Sequence, residues 1–201
     1  MISLYALKPR FQQQLRPIAG RLHQRGVSAN QVTLAALLLA VATAGVIGLW
    51  PTPTLLLLLP PVLFLRMALN ALDGMLARDF QQPTRLGAVL NELGDALADA
   101  ALYLPLILFP GVPAELVAVL VWLALLSEFC GVVAVQIGAS RRYDGPLGKS
   151  DRALLLGGIA LLLGFGVPTG LWLTLTLWIA NGLLILTSYH RLRAALREVS
   201  A

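Results

Sequence analysis

Two short stretches of this sequence place polar and ionisable residues at helical spacing inside strongly apolar surroundings. Arg66, Asn70, Asp73 and Ala77 follow at steps of four, three and four, and Asn91, Asp95 and Asp99 at steps of four. Each set lies on one face of a helix, so two adjacent helices would present facing stripes of carboxylate and amide oxygens. Such oxygen ligands suit a hard divalent cation, Mg²⁺ or Mn²⁺. Gly74 and Gly87 carry no side chain, which leaves room for the two backbones, or a backbone and a ligand, to approach. The competing reading is a buried polar network that only locks two helices together. A second cluster, Arg141, Arg142, Asp144, Lys149, Asp151 and Arg152, surrounds Gly145-Pro146-Leu147-Gly148. Glu128 stands in a long apolar run, where pairing with Arg66 or with the following helix is expected. His23 and His190 sit in basic terminal segments and suggest no metal site.

The elements that must position these residues follow from composition. The 201 residues are 58% hydrophobic and 12% charged, with a mean hydropathy of +0.79. Soluble domains carry about 25% charged residues, which argues against a soluble enzyme. A membrane helix needs about 20 mostly apolar residues, so six spans fit and a second domain does not. The expected fold class is an all-α integral membrane protein of six transmembrane helices preceded by an N-terminal amphipathic interfacial helix. Residues 1–28 form that juxtamembrane segment, with Leu4, Leu7, Phe11, Leu15, Ile18 and Leu22 at helical steps and bends expected near Pro9 and Pro17. Residues 29–190 form the membrane domain. Its spans are predicted at 32–50, from 55 through the first polar stripe, 86–109, 114–137, 153–167 and 171–189. Residues 191–201 read as a basic cytoplasmic tail.

Charge orients the bundle. Apart from Arg66, every Lys and Arg lies in the N-terminal segment, the loops after the second and fourth spans, the start of the fifth, or the tail. By the positive-inside rule both termini and both charged loops face the cytoplasm, so the two polar stripes share one leaflet. This asymmetry accounts for the net charge of +5 without invoking nucleic acid. Lys8, Arg10, Arg16, Arg21 and Arg25 precede any apolar run, so no signal peptide is expected. The single Cys130 allows no intrachain disulfide.

The run Asn70-Ala-Leu-Asp73-Gly74-Met-Leu-Ala77-Arg78, eight residues, Gly87, three residues, Asn91, three residues and Asp95 resembles the CDP-alcohol phosphatidyltransferase signature D-x2-D-G-x2-A-R-x8-G-x3-D-x3-D. It departs at Asn70 and Asn91, where the family usually has aspartate. Ala29-Asn30-Gln31-Val32-Thr33 is similar to the P-N-x-x-T element that opens the first span in that family, without its proline. The whole chain resembles a bacterial inner-membrane branch of the family. The resemblance implies a homodimer and phosphoryl transfer with release of CMP. It implies metal bound by Asp73, Asn70, Asn91 and Asp95, with Asp95 also the general base, and nucleotide contacts from Asn30, Thr33, Gly74, Ala77, Arg78 and Gly87. Asp99, one turn beyond Asp95, is expected to restore charge missing at the two asparagines; Glu92 points about 100° away from that face. Lys149, Arg152 and Arg141 would hold the acceptor, a small alcohol or a phosphorylated one; ordinary positive-inside residues are the competing reading.

The expected donor is a CDP-linked lipid, CDP-diacylglycerol. The reverse assignment, a CDP-linked small alcohol donating to diacylglycerol, uses the same chemistry, and a non-catalytic lipid-binding relative of the fold is the rival from another class. The family spacing argues against a transporter. In a Cys130→Ala background, Arg85→Cys and Lys149→Cys should react with an impermeant maleimide only from the cytoplasmic side, and Thr52→Cys only from outside. Labelling of positions 52 and 85 from one side would overturn the helix count.

Overall fold

The computed structural model describes residues 8–200, and they form helices and connecting turns with no strand among them. In chain order the helices are α1 (Lys8–Gln24), α2 (Ala29–Leu49), α3 (Leu59–Asp79), α4 (Arg85–Tyr103), α5 (Ala114–Gln136), α6 (Lys149–Gly164) and α7 (Leu171–Val199). Leu4 and Leu7 of the expected amphipathic face lie outside the described residues.

Local chemistry sets the boundaries. Ser28 and Gln31 form a reciprocal capping box, which starts α2 at Ala29 rather than Val32. Pro53 opens a 3-10 turn at Pro53–Leu58, and Pro60 and Pro61 follow in the first turn of α3, where their missing N–H groups are tolerated. Pro105 converts the end of the predicted third span into a second 3-10 turn, Leu104–Leu108. At α6 the Gly148 N–H donates to the Asp151 carboxylate at 3.0 Å, so the helix begins at Lys149 instead of Ala153. The basic tail is not separate: α7 continues through it to Val199.

Helix α2 packs against both α3 and α4, α3 against α6, and α5 against α7. Ile47, Leu56, Leu102, Leu120, Leu156 and Leu184 form the centre of the main core. Leu15 and Ala19 of α1 are buried against Val32 of α2 and Leu72 and Leu76 of α3. By length and apolarity four segments suffice to cross a membrane: Ala29–Leu49, Pro53–Asp79, Ala114–Gln136 and Leu171–Val199. Of the other two predicted spans, α4 carries Glu92, Asp95 and Asp99, and α6 has only 16 residues. Phe64, Trp122, Phe129 and Trp178 lie exposed on the outer surface, the pattern of side chains that meet lipid rather than water.

Gly131 decides how the loop between α5 and α6 folds back. A Cβ there would lie 2.6 Å from the Arg142 carbonyl oxygen and would also meet the Arg141 guanidinium. Gly182, in the middle of α7, has nothing within 4 Å of that position. Gly131→Ala should therefore destabilise the protein by about 1–3 kcal/mol through overpacking. Gly182→Ala should be neutral or gain up to about 1 kcal/mol of helix propensity. Thermal unfolding in detergent distinguishes them, and equal effects would refute the close approach.

Candidate active site

The polar stripes meet where α2, α3, α4 and the start of α6 converge. Thr84 caps α4 by accepting from the Gly87 N–H at 2.8 Å, and its hydroxyl donates to Asn30 Oδ1 at 3.1 Å. A Cβ on Gly87 would stand 2.5 Å from that same Asn30 oxygen. Gly87 thus lets α4 start against the first turn of α2. Gly74 serves differently, because the guanidinium of Arg78 folds over it, 3.0 Å from where a Cβ would be. Neither glycine brings α3 and α4 together directly; α2 joins them.

Asp73 is buried, and its Oδ2 accepts from the Thr33 hydroxyl at 2.7 Å. One turn earlier on the same face, Asn70 donates through Nδ2 to Asp95 Oδ1 at 2.9 Å. Arg66 Nη2 approaches the same carboxylate oxygen at 3.5 Å, and the Lys149 ammonium pairs with the other. The structure therefore brings Thr33, Asn70, Asp73, Asp95 and Lys149 into one cluster. Asn91 and Ala77 lie half-buried, and Arg78 is exposed.

Two neutral residues at the motif's acidic positions have a visible effect. Among the described residues no three His, Cys, Asp or Glu side chains gather into a metal-binding group. Asn70 Oδ1, however, is buried and has no hydrogen-bond partner. An orphaned buried oxygen is costly unless something occupies it. Together with the carboxylates of Asp73 and Asp95 it makes a hard oxygen donor set that fits one divalent cation.

Behind this cluster runs a buried ionic network. Asp99, expected as the compensating ligand, has both oxygens engaged: Oδ1 by Arg66 at 2.7 Å and Oδ2 by Arg152 at 2.9 Å. Arg152, 1% exposed, continues to Glu128 at 3.0 Å. Glu128 also takes Arg141 at 2.9 Å and Arg191 at 3.2 Å, and Arg141 grips Glu92 through two bonds of 2.9 Å. Glu128 thus pairs with the following helix, as one of its two expected options, and not with Arg66. Arg141 and Arg152, expected at the acceptor, are turned to these carboxylates instead. In the loop outside the helices, burial opposes ionisation of Asp144, but the hydrogen bond and charge of Arg142 outweigh it and hold the carboxyl below the usual carboxylate range.

Arg191 is the residue that sequence reasoning missed. The sequence places it in a basic cytoplasmic tail, yet it is buried, donating to the Ser127 and Asp144 carbonyls. The signal that could have found it is Glu128, a buried acid that calls for a cationic partner from another helix.

Fold, motif and cluster define one class of enzyme: the chain belongs to the CDP-alcohol phosphatidyltransferase family, a model of which matches residues 27–189. Within it, the chain is 48% identical over 195 residues to the inner membrane protein YnbA of Escherichia coli strain K12, with 97% of each chain covered. Its fold is similar to that of phosphatidylinositol phosphate synthase (PgsA1) from Mycobacterium tuberculosis with CDP-DAG bound. That pair has a TM-score of 0.73 and 23% identity, covering 89% of this chain and 92% of the other. The same synthase in complex with manganese and citrate also matches at 0.73 and 23% identity, covering 90% and 88%.

The geometry separates Asp99, tied to Arg66 and Arg152, from Asn70, Asp73 and Asp95. Asp99→Asn leaves Arg66 and Arg152 without their shared anion and should cost about 3–5 kcal/mol. Asp73→Asn should leave the fold intact. Thermal melts with and without Mn²⁺ test this: the metal should still raise the melting temperature of Asp99→Asn, and loss of that increment would return Asp99 to the ligand set.

Proposed function

We propose that this chain is a membrane-embedded transferase that moves the phosphatidyl group of CDP-diacylglycerol to a hydroxyl acceptor and releases CMP. The observation that carries this reading is the junction of the signature residues: Asn70 bonded to Asp95, Asp73 one turn along the same face, and Lys149 against the Asp95 carboxylate. In this reading the acceptor oxygen attacks the phosphatidyl phosphorus, the acceptor proton passes to Asp95, and the bond to CMP breaks. Asn70, Asp73 and Asp95, with Asn91 on the α4 stripe, hold Mg²⁺ or Mn²⁺, which when bound neutralises charge on the donor diphosphate. With two amides in place of carboxylates, one cation is held more tightly than a second. Arg78, lying over Gly74, contacts phosphate or ribose of the nucleotide, and Asn30, Thr33, Ala77 and Gly87 shape that end of the site. Thr33 does so by holding Asp73. Lys149 stands on the acceptor side.

The CDP-DAG bound to the mycobacterial synthase and the manganese in its second structure support the donor and the metal. The name of the Escherichia coli relative supports the bacterial inner membrane as the location. There the chain crosses six times, α4 and α6 turning their ionic residues inward and presenting Leu93, Leu97 and Leu154 outward, with both termini and the site cytoplasmic, and it works as a homodimer.

Purified protein incubated with CDP-diacylglycerol, Mn²⁺ and a panel of alcohols should release CMP and form new phospholipids detectable by mass spectrometry. Asp95→Asn should lose about 10²–10⁴-fold in turnover at every Mn²⁺ concentration, because it removes the base. Asp73→Asn should be inactive at low Mn²⁺ and partly recovered at high Mn²⁺. Full activity of Asp95→Asn, or no CMP from any acceptor, overturns the reading.

A further inference from the structure

Four cations converge behind Asp95 from three directions: Lys149 and Arg152 from α6, Arg141 from the preceding loop, and Arg191 from α7. None is free. Glu128 alone meets three guanidiniums, those of Arg141, Arg152 and Arg191, at 2.9, 3.0 and 3.2 Å. Glu92 takes two further bonds from Arg141, Asp99 takes Arg152 and Arg66, and Asp95 takes Lys149. In the metal-free chain each of the guanidiniums of Arg66, Arg141, Arg152 and Arg191 is therefore already paired with a carboxylate of Glu92, Asp99 or Glu128. The guanidiniums are also screened sterically, with side-chain exposures of 16% for Arg141 and 1% for Arg152.

A phosphomonoester brings between one and two negative charges at neutral pH. Lys149 alone offers one ammonium, and binding a phosphate to an arginine as well requires that guanidinium to leave a carboxylate inside the membrane, which strands the carboxylate unpaired. An uncharged alcohol requires only that its hydroxyl reach Asp95. We propose, resting on the phosphatidyl-transfer reading above, that the acceptor is a neutral alcohol without phosphate. Glu128 and Glu92 act as positioning residues that set this preference by occupying the arginines.

The test compares wild type, Glu128→Gln and Glu92→Gln. Glu92, whose side chain is 35% exposed, bonds only Arg141, so its replacement leaves the buried Asp99–Arg152–Glu128 segment in place should Glu128→Gln fail to fold. Calorimetric titration of metal-free protein with glycerol 3-phosphate should show no saturable binding to wild type at millimolar concentration and at least tenfold tighter binding to Glu92→Gln. CMP release by wild type should depend on glycerol or inositol and not on their phosphates, whereas Glu92→Gln gains release with the phosphorylated forms. Wild-type binding of glycerol 3-phosphate as tight as that of the variant, or wild-type CMP release favouring a phosphorylated acceptor, overturns the proposal. Failure of Glu92→Gln to bind removes the role assigned to the glutamates. Absence of CMP with every acceptor overturns the transfer reading, while the calorimetric comparison still decides whether the arginines are available to phosphate.

Discussion

The structure is organised around the guanidinium of Arg152, held between Asp99 and Glu128 with almost no exposure. A charge so placed in an apolar bundle is tolerated only when its partners are fixed, and here they come from α4 and α5. Asp99 in turn takes Arg66 from α3, and Glu128 takes Arg191 from α7. One chain of ion pairs therefore sets the positions of five helices relative to each other. Asn70, Asp73 and Asp95 are carried within two turns of these ion pairs on α3 and α4. Their geometry depends on this network, which reaches Asp95 through Arg66.

The two asparagines of the motif have different surroundings. Asn70 donates to Asp95, a bond that an aspartate at the same position would not make without a proton. Its amide oxygen remains open on the other side. The substitution thus exchanges one negative charge for a donor to Asp95 while keeping an oxygen that has no partner within the chain. Asn91 has no comparable tie and lies half-buried on the α4 stripe. Loss of charge at the two positions is chemically equal, but only the first is built into the cluster.

Much of this was legible in the sequence. The 3.6-residue period placed Asn70 and Asp73 on one face and Asn91, Asp95 and Asp99 on another, and proline and glycine marked the turns near 51–54, 110–113 and 168–170. What was not legible is how far each helix rotates about its axis and which distant charge it meets. Arg66 finds Asp99 and Arg152 finds Glu128 across gaps of 33 and 24 residues, pairings that no local spacing encodes. The same gap hid Arg191, because basic residues at the end of a last span look alike whether they turn to water or inward. Asp99 shares its stripe with Asp95, yet one turn along the helix exchanges the site for two arginines. The 3-10 turns after Pro53 and Pro105 were missed for a local reason: proline at the first turn of a helix is compatible with both geometries.

The long final helix has a consequence for how the protein is made. Beyond the membrane-crossing part of α7, Arg191 reaches the Ser127 and Asp144 carbonyls, and Glu198 accepts from the Ser140 N–H and hydroxyl and pairs with Arg142. During synthesis, Asp99, Glu128 and Arg152 are translated before residues 191 and 198. The nascent chain therefore carries an unfinished set of buried charges while its last span is still being translated. The order of synthesis therefore becomes part of the folding problem, because the chain of ion pairs closes only with its last helix.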